Sequence, residues 1–206
     1  MNRIICFLLL VFCFSCSVAE PVIVEDVDKI DTYLANLEDY LNSLKTFSAD
    51  FVQTDQKEKE SKGYFLLKRP DKMKLCCQSP AVDVLVAKDS KITRYNRELK
   101  EKTVIPVHAS PLSFFLEPKI SLRNNVELEF ALEDNEVVTL LFSPKNKDET
   151  EGTVFFTFKK EPMTLLGWEI VPNTSFGANK RSVKIILNNI RTNTRISDEE
   201  FEKLSS

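Results

Sequence analysis

The chain is poor in the residues that most site chemistry needs. It holds one histidine, His108, between Val107 and Ala109 at a predicted strand end. Without a second histidine or a suitably spaced cysteine the ligands for zinc are not supplied, and a general base would lack an orienting partner, so His108 reads as a loop or surface side chain. There are four glycines, Gly63, Gly152, Gly167 and Gly177, too scattered to cradle a phosphate, and there is no G-x-S-x-G elbow. Of five cysteines, three (Cys6, Cys13, Cys16) fall within the first 19 residues. The other two, Cys76 and Cys77, are neighbours that point to opposite faces of a strand, so no disulfide framework follows. Each reads as a small apolar residue. Charge of one sign is also missing: 28 Lys and Arg stand against 31 Asp and Glu, a net of −3, which argues against a nucleic-acid partner. The stretch DVDKID at 26–31 imitates the start of a calcium loop but lacks its turn glycine and closing glutamate. It reads as the acidic start of a helix.

Long hydrophobic runs are confined to one place. Met1 to Ala19 carry Arg3, an apolar stretch and the small residues Ser17 and Ala19, which predicts a secretory signal peptide cut between Ala19 and Glu20. The competing reading, a lipoprotein signal acylated at Cys16, is poorly served by Phe14 and Ser15. Beyond residue 20 nothing approaches the roughly 20 apolar residues of a membrane span. The mature chain, residues 20–206, is expected to lie outside the cytoplasm as one domain. It has about 185 residues, ample for a sizeable core, and no repeat, low-complexity tract or linker divides it.

What the chain has is periodicity. Val27, Ile30, Leu34, Leu37, Leu41 and Leu44 recur at spacings of three and four, with Asp26 and Asp28 at one end and Lys45 at the other, predicting a single amphipathic helix over 26–45. From Phe47 the period becomes two. Strands are predicted near 47–56, 62–68, 73–78, 82–88, 91–96, 101–107, 126–132, 136–143, 153–160, 164–171 and 181–190, a meandering antiparallel sheet. Pro111 to Leu116 read as one very apolar helical turn that must cover a greasy surface, residues 144–152 as a charged hairpin loop, and Ser197 with Glu200 as a capping box. Asn173 opens a formal glycosylation sequon. Several strands carry adjacent bulky residues, as in Phe65-Leu66-Leu67 and Ile185-Ile186-Leu187. Either both sheet faces are covered or the sheet is concave around an apolar interior. With so few helices the curved, barrel-like sheet is favoured.

The order of the stretches LNSLKTFSADFVQTD, GYFLLKRPDKMKL, ITRYN, SPLSFFL and LLGWEI resembles that of the LolA family of periplasmic outer-membrane lipoprotein carriers, over about residues 30–201. The resemblance implies a mainly β fold with helices (α+β): an unclosed antiparallel half-barrel of about ten to eleven strands, with a helical lid over an apolar cavity. It implies a soluble periplasmic chaperone, not an enzyme, that needs no cofactor or metal and carries acyl chains of lipoproteins from the inner to the outer membrane. Its partners would be acylated lipoproteins and an inner-membrane ATP-driven release complex, and the chain is expected to act as a monomer. Whether a separate outer-membrane receptor lipoprotein takes the cargo, or this chain performs both steps, is left open. In the family the arginine of the KRP element bonds to the lid, and Arg69 matches it as the lid latch. A guanidinium suits the task because it is a rigid fork of five donors that stays charged.

Strand alternation and lid position then assign Phe51, Leu66, Met73, Leu75, Leu85, Tyr95, Phe114, Phe115, Phe156 and Trp168 to the lipid-cavity lining. Met73, Thr93 and Lys102 depart from residues frequent in the family, which leaves the cavity's shape and cargo range open. The alternative function is a lipid- or protein-binding envelope sensor on the same half-barrel. A lipid-processing enzyme would need a hydrolytic constellation that the sequence does not offer.

Overall fold

The computed structural model describes residues 20–55, 57–79, 83–110, 112–144, 152–171 and 182–204. The predicted leader, Pro111, the Asn173 sequon and most of the charged loop 144–152 lie outside the described residues.

Helix α1 (Val27–Ser43) begins where the Asp26 carboxylate accepts from the amides of Asp28 and Lys29, at 3.0 and 3.2 Å, and ends at the extended backbone of Leu44. Its apolar stripe buries Tyr33, Leu34, Leu37 and Leu41. Val27, expected in that stripe, is 69% exposed, and Lys45 falls beyond the last turn. The first turns are anchored by polar contacts instead, with Lys29 paired to Glu133 and the Tyr33 hydroxyl donating to the same carboxylate.

The chain next lays down β2 (Thr46–Asp55), β3 (Glu60–Lys68), β4 (Lys72–Ser79), β5 (Asp83–Lys88), β6 (Lys91–Asn96) and β7 (Glu101–Pro106) as an antiparallel meander. It crosses back through residues 107–125, which include two 3-10 turns (Val107–Ala109 and Ser113–Leu116) and the short α2 (Leu122–Asn125). It then forms β8 (Val126–Glu133), β9 (Val137–Pro144), β10 (Thr153–Lys159), β11 (Thr164–Val171) and β12 (Val183–Thr192). Strand β12 pairs with β2, and a two-residue β1 (Val22–Ile23) joins β8, which gives twelve strands in the order β1-β8-β9-β10-β11-β12-β2-β3-β4-β5-β6-β7. The ends of that order, β1 and β7, do not meet. This is the unclosed antiparallel half-barrel of an α+β fold. All eleven predicted strands occur; the added one is too short to show a period.

Register assigns the faces. Leu187 lies opposite Phe51 and Phe51 opposite Gly63, Phe65 opposite Leu75, Leu67 opposite Met73, and Phe156 opposite Trp168, which lies opposite Ile185. These residues join α1 and the crossing segment in one buried apolar cluster on the inner face. Gly63 is required there: a Cβ would stand 2.1 Å from the Cys76 carbonyl and 2.5 Å from the Phe51 ring. The outer face is not bare. Over β3–β5 it carries a second cluster of Cys76, Val84, Val86 and Phe201, with Tyr64, Leu66, Ile196 and Leu204 packed against it. Two-sided cover, set aside on sequence grounds, therefore exists at this end, supplied by the irregular C-terminal strap 193–204. Lys68 and Lys72 reach Asp198 at 2.8 and 2.7 Å, and the buried Lys74 ammonium donates to the Glu200 carbonyl at 2.9 Å.

Candidate functional site

The site is built around the β3–β4 turn. Asp71, at φ 75°, helps reverse the chain, and its amide donates to the Leu116 carbonyl at 3.2 Å, while the Arg69 amide donates to the Lys45 carbonyl at 2.9 Å. The turn is thus seated between the end of α1 and the crossing segment. From there the Arg69 guanidinium spans both: Nη1 donates to the Leu41 carbonyl at 2.6 Å, and Nη2 to the carbonyls of Glu117 at 2.6 Å and Pro118 at 3.3 Å. Leu41 lies in the last turn of α1, where carbonyls run short of helical partners and the helix dipole favours a cation. Burial pulls the Arg69 pKa down and the Glu117 carboxylate opposes it, with burial the larger effect. A group that starts this high stays charged at neutral pH.

Two further side chains, unremarked in the sequence, stitch the same pieces together. Asn42 donates from Nδ2 to the Ile120 carbonyl and accepts from the Ile120 amide, both at 2.9 Å. Glu38 Oε1 accepts from the Leu122 amide at 2.7 Å. Their spacing of four on the flank of the apolar stripe was the available signal, since it puts both on one edge of the helix. Helix α1 and residues 107–125 therefore form one hydrogen-bonded cover.

Beneath that cover lies an aromatic floor. Phe115 meets Phe156 edge-on, with centroids 5.7 Å apart at 84°, and tilts against Trp168 at 6.5 Å. Trp168 in turn meets Phe65 at 5.3 Å and 67°, and Phe65 tilts against Phe47 at 5.9 Å. Edge-on packing of this kind contributes beyond the area it buries.

Of the ten residues expected to line a cavity, Phe51, Met73, Leu75, Phe115, Phe156 and Trp168 are buried in the inner cluster, and Leu85, opposite Leu75, packs against it half-buried. Two expectations are corrected. Leu66 points the other way, into the outer cluster beneath the strap. Tyr95 lies opposite Val84, a member of that outer cluster, and so shares its face. In both cases strand parity decides: Phe65 and Ile92 take the inner positions. The Phe114 side chain lies outside the described residues. His108 is exposed, beside a groove of about 320 Å³ lined also by Asp71, Leu116 and Pro118. Cys76 and Cys77 are both free and buried, and burial lifts the Cys77 thiol to about 11, well above a reactive range. Among the described residues no helix is long and apolar enough to cross a membrane.

Residues 42–203, which include Arg69, the crossing segment and nearly all of the sheet, match the family of outer membrane lipoprotein carrier protein LolA. The chain belongs to the LolA family. Among solved structures it is similar to a DUF1329 family protein from Desulfovibrio piger, at 13% identity over 84% of this chain and 96% of that one, with a TM-score of 0.50. It is similar also to a LolA superfamily protein from Nitrosomonas europaea, at 9% identity over 84% of this chain and 97% of that one, with a TM-score of 0.45. A third likeness is to the MucA/MucB complex structure of Pseudomonas aeruginosa, at 11% identity over 84% of this chain and 60% of that one, with a TM-score of 0.47. Likeness at such identities concerns the fold alone. No curated protein matches the chain. Family membership makes this LolA-family chain a member of a group of binding and carrier proteins.

Proposed function

We propose that this chain is a periplasmic lipoprotein carrier: a single domain over residues 20–206 that shelters the acyl chains of lipoproteins leaving the inner membrane and delivers them to the outer membrane. The observation that carries this reading is the Arg69 clasp, one guanidinium that holds both parts of a cover, at Leu41 and at Glu117, over an aromatic floor. A cover tied at one charged group can be released as a unit. Ordinary core packing has no such need.

The energetics favour a device of this kind. An acyl chain of about 15 methylenes, at about 0.8 kcal/mol each, costs on the order of 12 kcal/mol to leave in water. An acylated protein therefore cannot cross an aqueous compartment unaided. A carrier that bound the chains at that full strength would never hand them on. When the binding-competent state is the open one, apparent affinity falls by the fraction of molecules that are open, and the clasp sets that fraction. Phe51, Met73, Leu75, Leu85, Phe115, Phe156 and Trp168 would contact the chains once the cover lifts. Loading would draw on an inner-membrane ATP-driven release complex, and an outer-membrane receptor lipoprotein would accept the cargo.

Binding of a diacylated peptide, compared with the same peptide lacking its acyl chains, tests this reading. One-to-one binding of the acylated form alone is expected. Equal binding of both forms would overturn it in favour of a protein-sensing module.

A further inference from the structure

Two buried side-chain nitrogens have no hydrogen-bond partner among the described residues, Arg69 Nε and Trp168 Nε1. The first belongs to a guanidinium whose two other nitrogens are engaged in the clasp. The second has no such explanation. Trp168 stands on the inner face of β11, 2% exposed, between Phe156 and Ile185 in the register, with the Phe65 ring on one side and Phe115 of the cover on another. Every one of these neighbours is apolar. A phenylalanine would fill such a place and leave no donor stranded, whereas a buried indole N–H ordinarily finds an acceptor. A donor kept without a partner on the floor of an apolar enclosure is matched to an acceptor that arrives with a ligand.

The geometry points to Trp168 Nε1 as the donor to an acyl carbonyl oxygen of the bound lipid, at the root where the chain joins its glycerol or amine. This inference rests on the carrier reading above. A chain that enters between cover and floor must part Phe115 from Trp168, and the first polar group it brings into the enclosure is its ester or amide carbonyl. That carbonyl loses its water there and needs a donor. The indole loses nothing by supplying one, since it already lacks a partner. Trp168 would thereby favour acyl esters and amides over ether-linked alkyl chains of the same length, which fill the same volume without a carbonyl.

Trp168 is the chain's single tryptophan, so labelling the indole nitrogen, or replacing tryptophan with benzothienylalanine, which puts sulfur in place of the N–H, alters one site only. Two probes are compared on the full chain: a dipalmitoyl glyceryl-cysteine peptide and its dihexadecyl ether counterpart. The ester is expected to move the indole proton resonance downfield. The benzothienylalanine form should bind the ester about fivefold more weakly, the scale of one net hydrogen bond, and the ether unchanged. An indole proton that stays in place with the ester bound, or losses equal for ester and ether, would overturn the inference and leave the carrier reading standing. If neither lipid binds the unmodified chain, the carrier reading fails and this inference fails with it. The resonance is read on the unmodified chain, so poor folding of the substituted form does not decide the outcome.

Discussion

Arg69 joins two sets of carbonyls with one planar group, a geometry that lysine's single ammonium does not reproduce. Hydrogen bonds to a charged donor contribute about 2 kcal/mol, so Arg69→Leu should open the cover more often and tighten binding of a diacylated peptide roughly tenfold or more. Such a variant would load but hand on poorly. Unchanged affinity together with normal transfer would remove Arg69 from the mechanism. A different residue bounds the packing: Gly63→Ala drives a Cβ toward the Cys76 carbonyl and the Phe51 ring, and urea denaturation should show a loss of about 2 kcal/mol. At this scale the sequence was unevenly readable. Pro70 and Asp71 announce the turn at Arg69, but the role expected of Arg69 itself came only from the family resemblance. Asn42, Glu38 and the stranded Trp168 nitrogen acquire meaning only when distant segments meet; Phe65, Leu66 and Leu67 are all bulky and hide which parity faces inward, and in β6 the two large apolar residues, Ile92 and Tyr95, stand at opposite parity.

Among the elements, α1 and the strands were legible because each carries its own period. The C-terminal strap was not: residues 193–204 hold one 3-10 turn, and their cover over β3–β5 depends on lysines from two strands. Lys68 first, then Lys72, hold the Asp198 carboxyl down to about 2 from an ordinary 3.8. Because the folded pKa is the lower one, the part of the strap's stability that comes from the Asp198 ion pairs is present above about pH 4 and is lost as pH falls through about 2. The adjacent cysteines supply the readout, since Cys76 belongs to the outer cluster under the strap and Cys77 to the inner cluster. Asp198→Asn should speed alkylation of Cys76 at neutral pH and leave Cys77 slow. Arg69→Leu should do the reverse. Equal acceleration of both thiols in either variant would mean that strap and cover do not open separately.

For the whole molecule, the twelve-strand order follows from one crossing: residues 107–125 carry the chain from β7 to β8, beside the far edge strand β1, and join the inner cluster on the way. The connection between two half-sheets is therefore also half of the cover, so anything that lifts it pulls on both. The open meander was readable from turn spacing, whereas the doubled bulky residues Phe65-Leu66-Leu67, taken as a sign of a concave interior, reflect cover on both faces at that end of the sheet. The hydrogen-bonded union of α1 with the crossing segment was not readable, because the side chains of Glu38, Asn42 and Arg69 take backbone groups as their partners, which every sequence possesses. The proposed carrier function belongs to this scale, and release from the membrane tests it most directly. Purified protein of residues 20–206 is mixed with inner membranes that hold newly acylated lipoprotein, ATP is added, and the soluble fraction is assayed. The account predicts lipoprotein in solution, bound one to one to this chain. No release, from a chain that still binds diacylated peptide, would contradict it.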